Sequence, residues 1–177
     1  MAFVIKQRQI AADNWKLLKP AADGSSTAVA STGDIIVPLA FWLEQREALL
    51  SRAGRLGVWL DSHEEPGAIA SDFDRFGVIA VNFPKFGDGR GFSIARLLRE
   101  RYGYQGELRA IGEVGRDHLF FMARCGFDSF LLRDAEDPEQ ALTAFDDFSD
   151  AYQASVERPL PLFRRRFLAS PDGMESS

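Results

Sequence analysis

An α/β fold is what this sequence predicts: a mostly parallel sheet of about five βα units, with a small N-terminal β element in front. Three observations carry that expectation. Short apolar runs rich in β-branched residues alternate with stretches that keep helical spacing, the rhythm of a parallel sheet with right-handed crossovers. Glycine or proline marks nearly every junction between them. The run 78–81 (VIAV) shows no alternation of apolar and polar residues, which suits a strand covered on both faces. Two architectures satisfy this pattern, an open doubly wound sheet or part of a β/α barrel. Five units are too few for the usual eight-stranded barrel, which favours the open sheet.

Residues 1–19 read as the β element, with apolar patches at Phe3, Val4 and Ile5 and at Trp15, Leu17 and Leu18. Pro20 opens a polar connector of small residues that runs to position 33. The α/β domain then spans 34–155, and 156–177 form a basic and aromatic tail. Within the domain, 34–37 (DIIV) is the first strand. Leu39, Trp42, Leu43, Leu49 and Leu50 follow at helical spacing, closed by Gly54. The second strand is 56–60 (LGVWL), and Ser62 with Glu65 has the spacing of a capping box before Pro66. The third strand, 78–81, is stopped by Pro84, since proline cannot donate to a ladder.

A glycine-rich loop follows, with Gly87, Gly89 and Gly91 in alternation, and Ser93 suits the N-cap of the next helix. A loop between strand end and helix start can offer N–H groups to an anion, which makes Gly87, Gly89, Gly91 and Ser93 the candidate anion-binding set. The dinucleotide fingerprint fails because Phe92 stands where the third glycine belongs, and no Gly-Lys-Ser/Thr follows to make a P-loop. A tight βα turn needing glycine for geometry alone explains the loop equally well. Strands at 107–111 (ELRAI) and 128–132 (DSFLL) flank a helix over 116–124, with Leu119, Phe120, Met122 and Ala123 inward and Gly126 as its cap. A last helix covers 138–152.

In parallel α/β folds the ligand face lies at the carboxyl ends of the strands. Those ends supply Asp61, Ser62, His63, Glu64 and Glu65, then Asn82, Lys85, Asp88 and Arg90, then Glu113, Arg116, Asp117 and His118, then Arg133 and Asp134. His63, Asp88 and Arg90 are the candidate catalytic groups. His63 between carboxylates suits acid–base work, although acids at a helix start also answer the helix dipole. No second histidine or cysteine stands at ligand spacing, so no metal site is expected. His118 reads as a packed core or boundary histidine. Cys125, near the C-terminal end of its helix, is expected to have a raised thiol pKa and a structural role.

Composition narrows the function classes. A net charge of −5 argues against general nucleic-acid affinity. The single cysteine permits no internal disulfide and fits a reducing cytoplasm. The first residues lack the apolar core of a signal peptide, so none is expected, and no apolar run approaches membrane length. Fifteen phenylalanines point to a well-filled core or an aromatic contact surface. The basic cluster Arg164, Arg165 and Arg166, bracketed by Phe163 and Phe167, suits an acidic partner protein or a solvated tail.

On GVWLDS, on the long stretch from VIAVNFPKFGDGRGFSIARLLRER through GEVGRDHLFFMARCGFDSF, and on the final aromatic helix, the chain resembles a bacterial family called domain of unknown function 934. The likeness runs from about 34 to 162. Its members are commonly described as suspected oxidoreductases of sulfite reduction, because their genes neighbour that of the sulfite reductase haemoprotein. The resemblance therefore implies an accessory of assimilatory sulfite reduction, with that haemoprotein as partner. It carries over no catalytic residues and no cofactor. An oxidoreductase needs a redox group, and the chain has no dinucleotide fingerprint, no cysteine set for an iron–sulfur cluster and no paired thiols. The alternative is an enzyme that holds an anionic small molecule at residues 87–91. Homo-oligomerisation is left open.

Overall fold

The computed structural model describes residues 2–21, 29–85 and 87–146. The expected helical positions Phe148 and Tyr152, and Arg164, Arg165 and Arg166, lie outside them.

The strands of the expected parallel series form where the apolar runs stand. They are β4 (Ile35–Pro38), β5 (Leu56–Leu60), β6 (Val78–Phe83), β7 (Glu107–Gly112) and the short β8 (Ser129–Phe130). The N-terminal segment adds β1 (Phe3–Lys6), β2 (Gln9–Ala12) and β3 (Lys16–Leu17). All eight join one sheet in the order β2-β1-β8-β7-β6-β5-β4-β3. From β3 to β8 neighbours run parallel; β1 pairs antiparallel with both β8 and β2. The sheet is therefore mixed, which corrects the expectation of a mostly parallel sheet of five βα units. The N-terminal β element is part of the sheet and contributes both of its edges.

The helices are α1 (Leu39–Ser51), a 3₁₀ helix (Pro66–Arg75), α2 (Arg90–Arg96) running into a π turn (Leu97–Arg101), α3 (Arg116–Cys125) and α4 (Pro138–Leu142) with a 3₁₀ turn (Thr143–Phe145). Their buried side chains share one core with Val37, Val58, Leu60, Ile79, Val81, Leu108 and Ala110. The other face carries a second cluster of Ile36, Val78, Ala80 and Ile111, covered by Trp15, Leu17, Trp59 and Leu131, with no helical member among the described residues. This overturns the doubly wound reading, which requires helices on both faces. The reason lies in strand order. β4 to β8 step always in one direction, so right-handed crossovers place the helices between them on the same side. The outcome is a sheet curled into a half-barrel with its helices outside.

Parallel register stacks the concave face in rows. Ile36, Gly57, Val78 and Glu107 make one row; Pro38, Trp59, Ala80, Arg109 and Ser129 make the next. Val78 to Val81 are fully buried on both faces, as their lack of alternation predicts. In the second row Arg109, 2% exposed, bonds Glu107 Oε1 at 2.8 Å and Asp13 Oδ1 at 3.0 Å, and Lys6 reaches Glu107 at 2.6 Å. This ion chain ties the segment after β2 to the middle of the sheet.

Two local expectations differ. In α1, Leu39, Trp42 and Leu49 are buried, but Leu43 and Leu50 are exposed; the helix is kinked at Gln45 (φ −115°, ψ 22°), so no single apolar stripe runs its length. The capping box between Ser62 and Glu65 does not form. Glu65 is the N-cap residue without a side-chain bond, and Glu64 Oε2 instead accepts the Asp61 N–H at 2.7 Å.

Candidate functional site

The carboxyl ends of β5 and β6 bring two loops together. Asp61 leaves β5 and is the hub of the first. Its Oδ1 accepts the Ser62 N–H at 2.8 Å and the Asn82 side-chain amide at 3.2 Å. His63 Nδ1 stands 3.8 Å from Asp61 Oδ2, with the imidazole 66% exposed. In the second loop Arg90 Nε and Nη2 clasp Asp88 at 3.0 and 2.8 Å, and the Arg90 N–H also donates to Asp88 Oδ1. The Arg90 side chain, then its N–H, then the Ser62 hydroxyl hold the Asp88 carboxyl well below the usual range. Asp88 in turn raises Arg90, and Asp61 adds to that. The sequence-predicted catalytic residues thus share one face. Asp88 and Arg90 are bound to each other, and His63 extends into solvent beside Asp61.

The glycines of the loop serve different purposes. Gly91 is buried, and a Cβ there would strike the Phe83 ring, so close packing requires it. Gly87 and Gly89 have open space around them and no positive φ. Helix α2 starts at Arg90 with Gly89 at the N-cap, so Ser93 is an exposed residue inside the helix and not its cap. Several loop amides are engaged: Asp88 N–H donates to Lys85 O, Arg90 N–H to Asp88, and Phe92 N–H to Gly89 O.

The ends of β7 and β8 extend this face. Gly112 has φ +91°, and a Cβ on it would collide with the Phe83 carbonyl and the Asn82 side-chain oxygen. Asn82 thus packs against β7 on one side and bonds Asp61 on the other. Beyond Gly112, Arg133 lies 2.7 Å from Glu136 and 3.7 Å from Glu113, and Glu136 accepts the Arg116 N–H at 3.3 Å. Sequence reasoning missed Glu136, whose signal is its i,i+3 spacing from Arg133. It placed Asn82 among the strand-end polar residues but gave it no partner, because an amide at a strand end has no local signature.

Cys125 is buried in α3. Burial pushes its thiol up, the expected direction, though the cause is burial and not the helix terminus on which the expectation rested. His118 is half-buried, as a boundary residue should be. Among the described residues no three His, Cys, Asp or Glu side chains are placed to share a metal ion. No helix there is long and apolar enough to cross a membrane.

These features define an α/β half-barrel with a polar face at the carboxyl ends of its parallel strands. Residues 57–163 match the family described as "Bacterial protein of unknown function (DUF934)", and the chain belongs to that family. The match begins in β5 and takes in every strand-end loop described above. No curated protein matches the chain.

Proposed function

We propose that the chain is an accessory protein of assimilatory sulfite reduction that works with the sulfite reductase haemoprotein. The pathway rests on the gene neighbourhood that came with the resemblance, the family itself being of unknown function. The observation that carries the accessory role is the pairing of Asp88 with Arg90. A carboxylate held ionised by its own arginine is a poor proton carrier at neutral pH, and that arginine, its charge already matched by Asp88, pulls less on a free anion. Such a face presents a fixed charge pattern suited to a protein partner.

An aromatic surface adds to this. Phe121 is 44% exposed, meets Phe92 edge-on at 4.9 Å, and has the Arg124 guanidinium 5.9 Å from its ring centroid. Aromatic and arginine side chains are enriched where proteins meet. The tail cluster Arg164, Arg165 and Arg166 belongs to the same proposal as a second basic contact.

Size-exclusion chromatography of the mixed proteins, followed at the haem absorbance, tests this. A shifted haem peak containing both chains is expected, and Phe121→Asp should return the haem to its free position. Two separate peaks at micromolar concentration overturn the reading.

One observation favours a second reading, an enzyme that takes an anionic small molecule. The Asp61 and Asp88 loops meet at the mouth of the half-barrel. A thermal shift with sulfite that disappears in Arg90→Ala would support it.

A further inference from the structure

The two edges of the sheet are unlike. At one, β3 has only two residues, one of them Lys16, and Lys19 and Pro20 follow, which is how native sheets blunt an edge. At the other, β2 reads QIAA, with no charge and no proline, and all but Ala11 is exposed. Two large apolar side chains are uncovered there, Phe3 at 53% and Ile10 at 38%. They share the helix-side face of the β1–β2 hairpin, since Ile10 pairs with the core residue Ile5 and Phe3 is two residues from it.

The hairpin register decides which backbone groups are free. A two-residue loop makes Lys6 and Gln9 a hydrogen-bonded pair, so Val4 with Ala11 is the next. The Asp13 N–H to Ala2 O bond, 2.9 Å, continues the alternation. The N–H and C=O of Ile10 and Ala12 therefore point away from β1. No partner for them stands among the described residues.

We propose that β2 is a docking strand for a second copy of this chain. The two β2 strands pair antiparallel, with Ala11 facing Ala11 across a two-fold axis. Ile10 of each copy then stands opposite Ala12 of the other, and both narrow pairs exchange two N–H···O bonds. The pairing is isologous, so one surface satisfies both copies. Ala11 falls in the pair without hydrogen bonds, where opposed Cβ atoms are closest, about 5 Å apart, and a methyl group fits there. No like charges meet, because Gln9–Ala12 carries none. In the shared sheet Phe3 lies beside Ala12, and Ile10 of the second copy lies on the far side of that small residue. Both exposed side chains gain cover over it. The contact is short, well below the roughly 1,200 Å² of stable interfaces, so the dimer is weak and concentration-dependent. This inference is independent of the proposed pathway.

Sedimentation velocity on the full chain over a concentration series is the test, with a shift from monomer to dimer expected in the micromolar range. Ala12→Pro removes an outward N–H and leaves every β1–β2 bond intact; it should weaken the dimer about tenfold or more. Ile10→Lys should do the same by opposing charges across the edge. Oxidised Ala11→Cys should run as a disulfide-linked dimer on a non-reducing gel. Ile10→Cys should not, because its copies are offset along the strands. Native Cys125 is buried and does not interfere. A chain that stays monomeric at every concentration overturns the proposal. So does a dimer that ignores Ile10→Lys and gives no Ala11→Cys cross-link.

Discussion

Gly112 shows how much a single residue decides at this site. Its φ of +91° is a conformation L side chains rarely adopt, and the space a Cβ needs is held by Phe83 and Asn82. Gly112→Ala should therefore cost about 2–3 kcal/mol, from strain and displaced neighbours together. It should also disturb Asn82 and, through it, Asp61. Gly89 sits at the N-cap of α2 with ordinary φ and open space, so Gly89→Ala should stay within about 0.5 kcal/mol. Urea unfolding of the two variants separates these cases; equal midpoints would contradict the assignment. Nothing local in the sequence ranks the two glycines. The difference is made by Phe83 and Asn82, which belong to a neighbouring strand.

At the scale of an element, β7 carries the sharpest contrast between appearance and role. ELRAI reads as one more strand of the sheet, and nothing in it marks Glu107 or Arg109 for burial. In the folded chain Glu107 and Arg109 point into the concave face and are buried. Arg109 is neutralised by Asp13, 96 positions away in the chain, and no local pattern announces a partner at that distance. Arg109→Met should leave Asp13 buried without its cation and remove one of the two cations that serve Glu107. A loss of about 3–5 kcal/mol is expected, as for other broken buried pairs. Pairing it with Asp13→Asn should recover part of that loss. Chemical denaturation of the single and double variants measures both. A strictly additive double variant would show that the two groups do not interact.

For the whole molecule the carboxylates set an acid limit. Asp34 is lowered by Arg55, Asp88 by Arg90 and Glu136 by Arg133. Burial by itself would raise Glu107, but Lys6 and Arg109 outweigh it and hold it low. A carboxyl lowered in the folded chain stabilises above its unfolded pKa, and that contribution disappears as pH falls through the folded value. Asp128 is raised, chiefly by burial, and works in the opposite sense: its ionisation opposes folding, and protonation relieves it. Four lowered groups outweigh one raised, so the urea midpoint should fall steadily from about pH 5 downward. A midpoint that holds level to pH 3 would contradict this.

The sequence by itself determined the α/β class, the positions of β4 to β7, the helices between them, and the polar residues at the strand ends. These follow from periodicity, β-branched runs and glycine or proline punctuation, all of which act within a few residues. Tertiary structure decided the rest. Strand order placed the described helices on one face and curled the sheet into a half-barrel, and it drew β2 and β3 from one short segment to opposite edges of that sheet. Asn82 gained its place between Asp61 and Gly112, and Arg109 its place beside Asp13, in the same way. Each of these depends on pairing between residues far apart in the chain, where the free energy lies in the contact and no single stretch of sequence contains both halves of it.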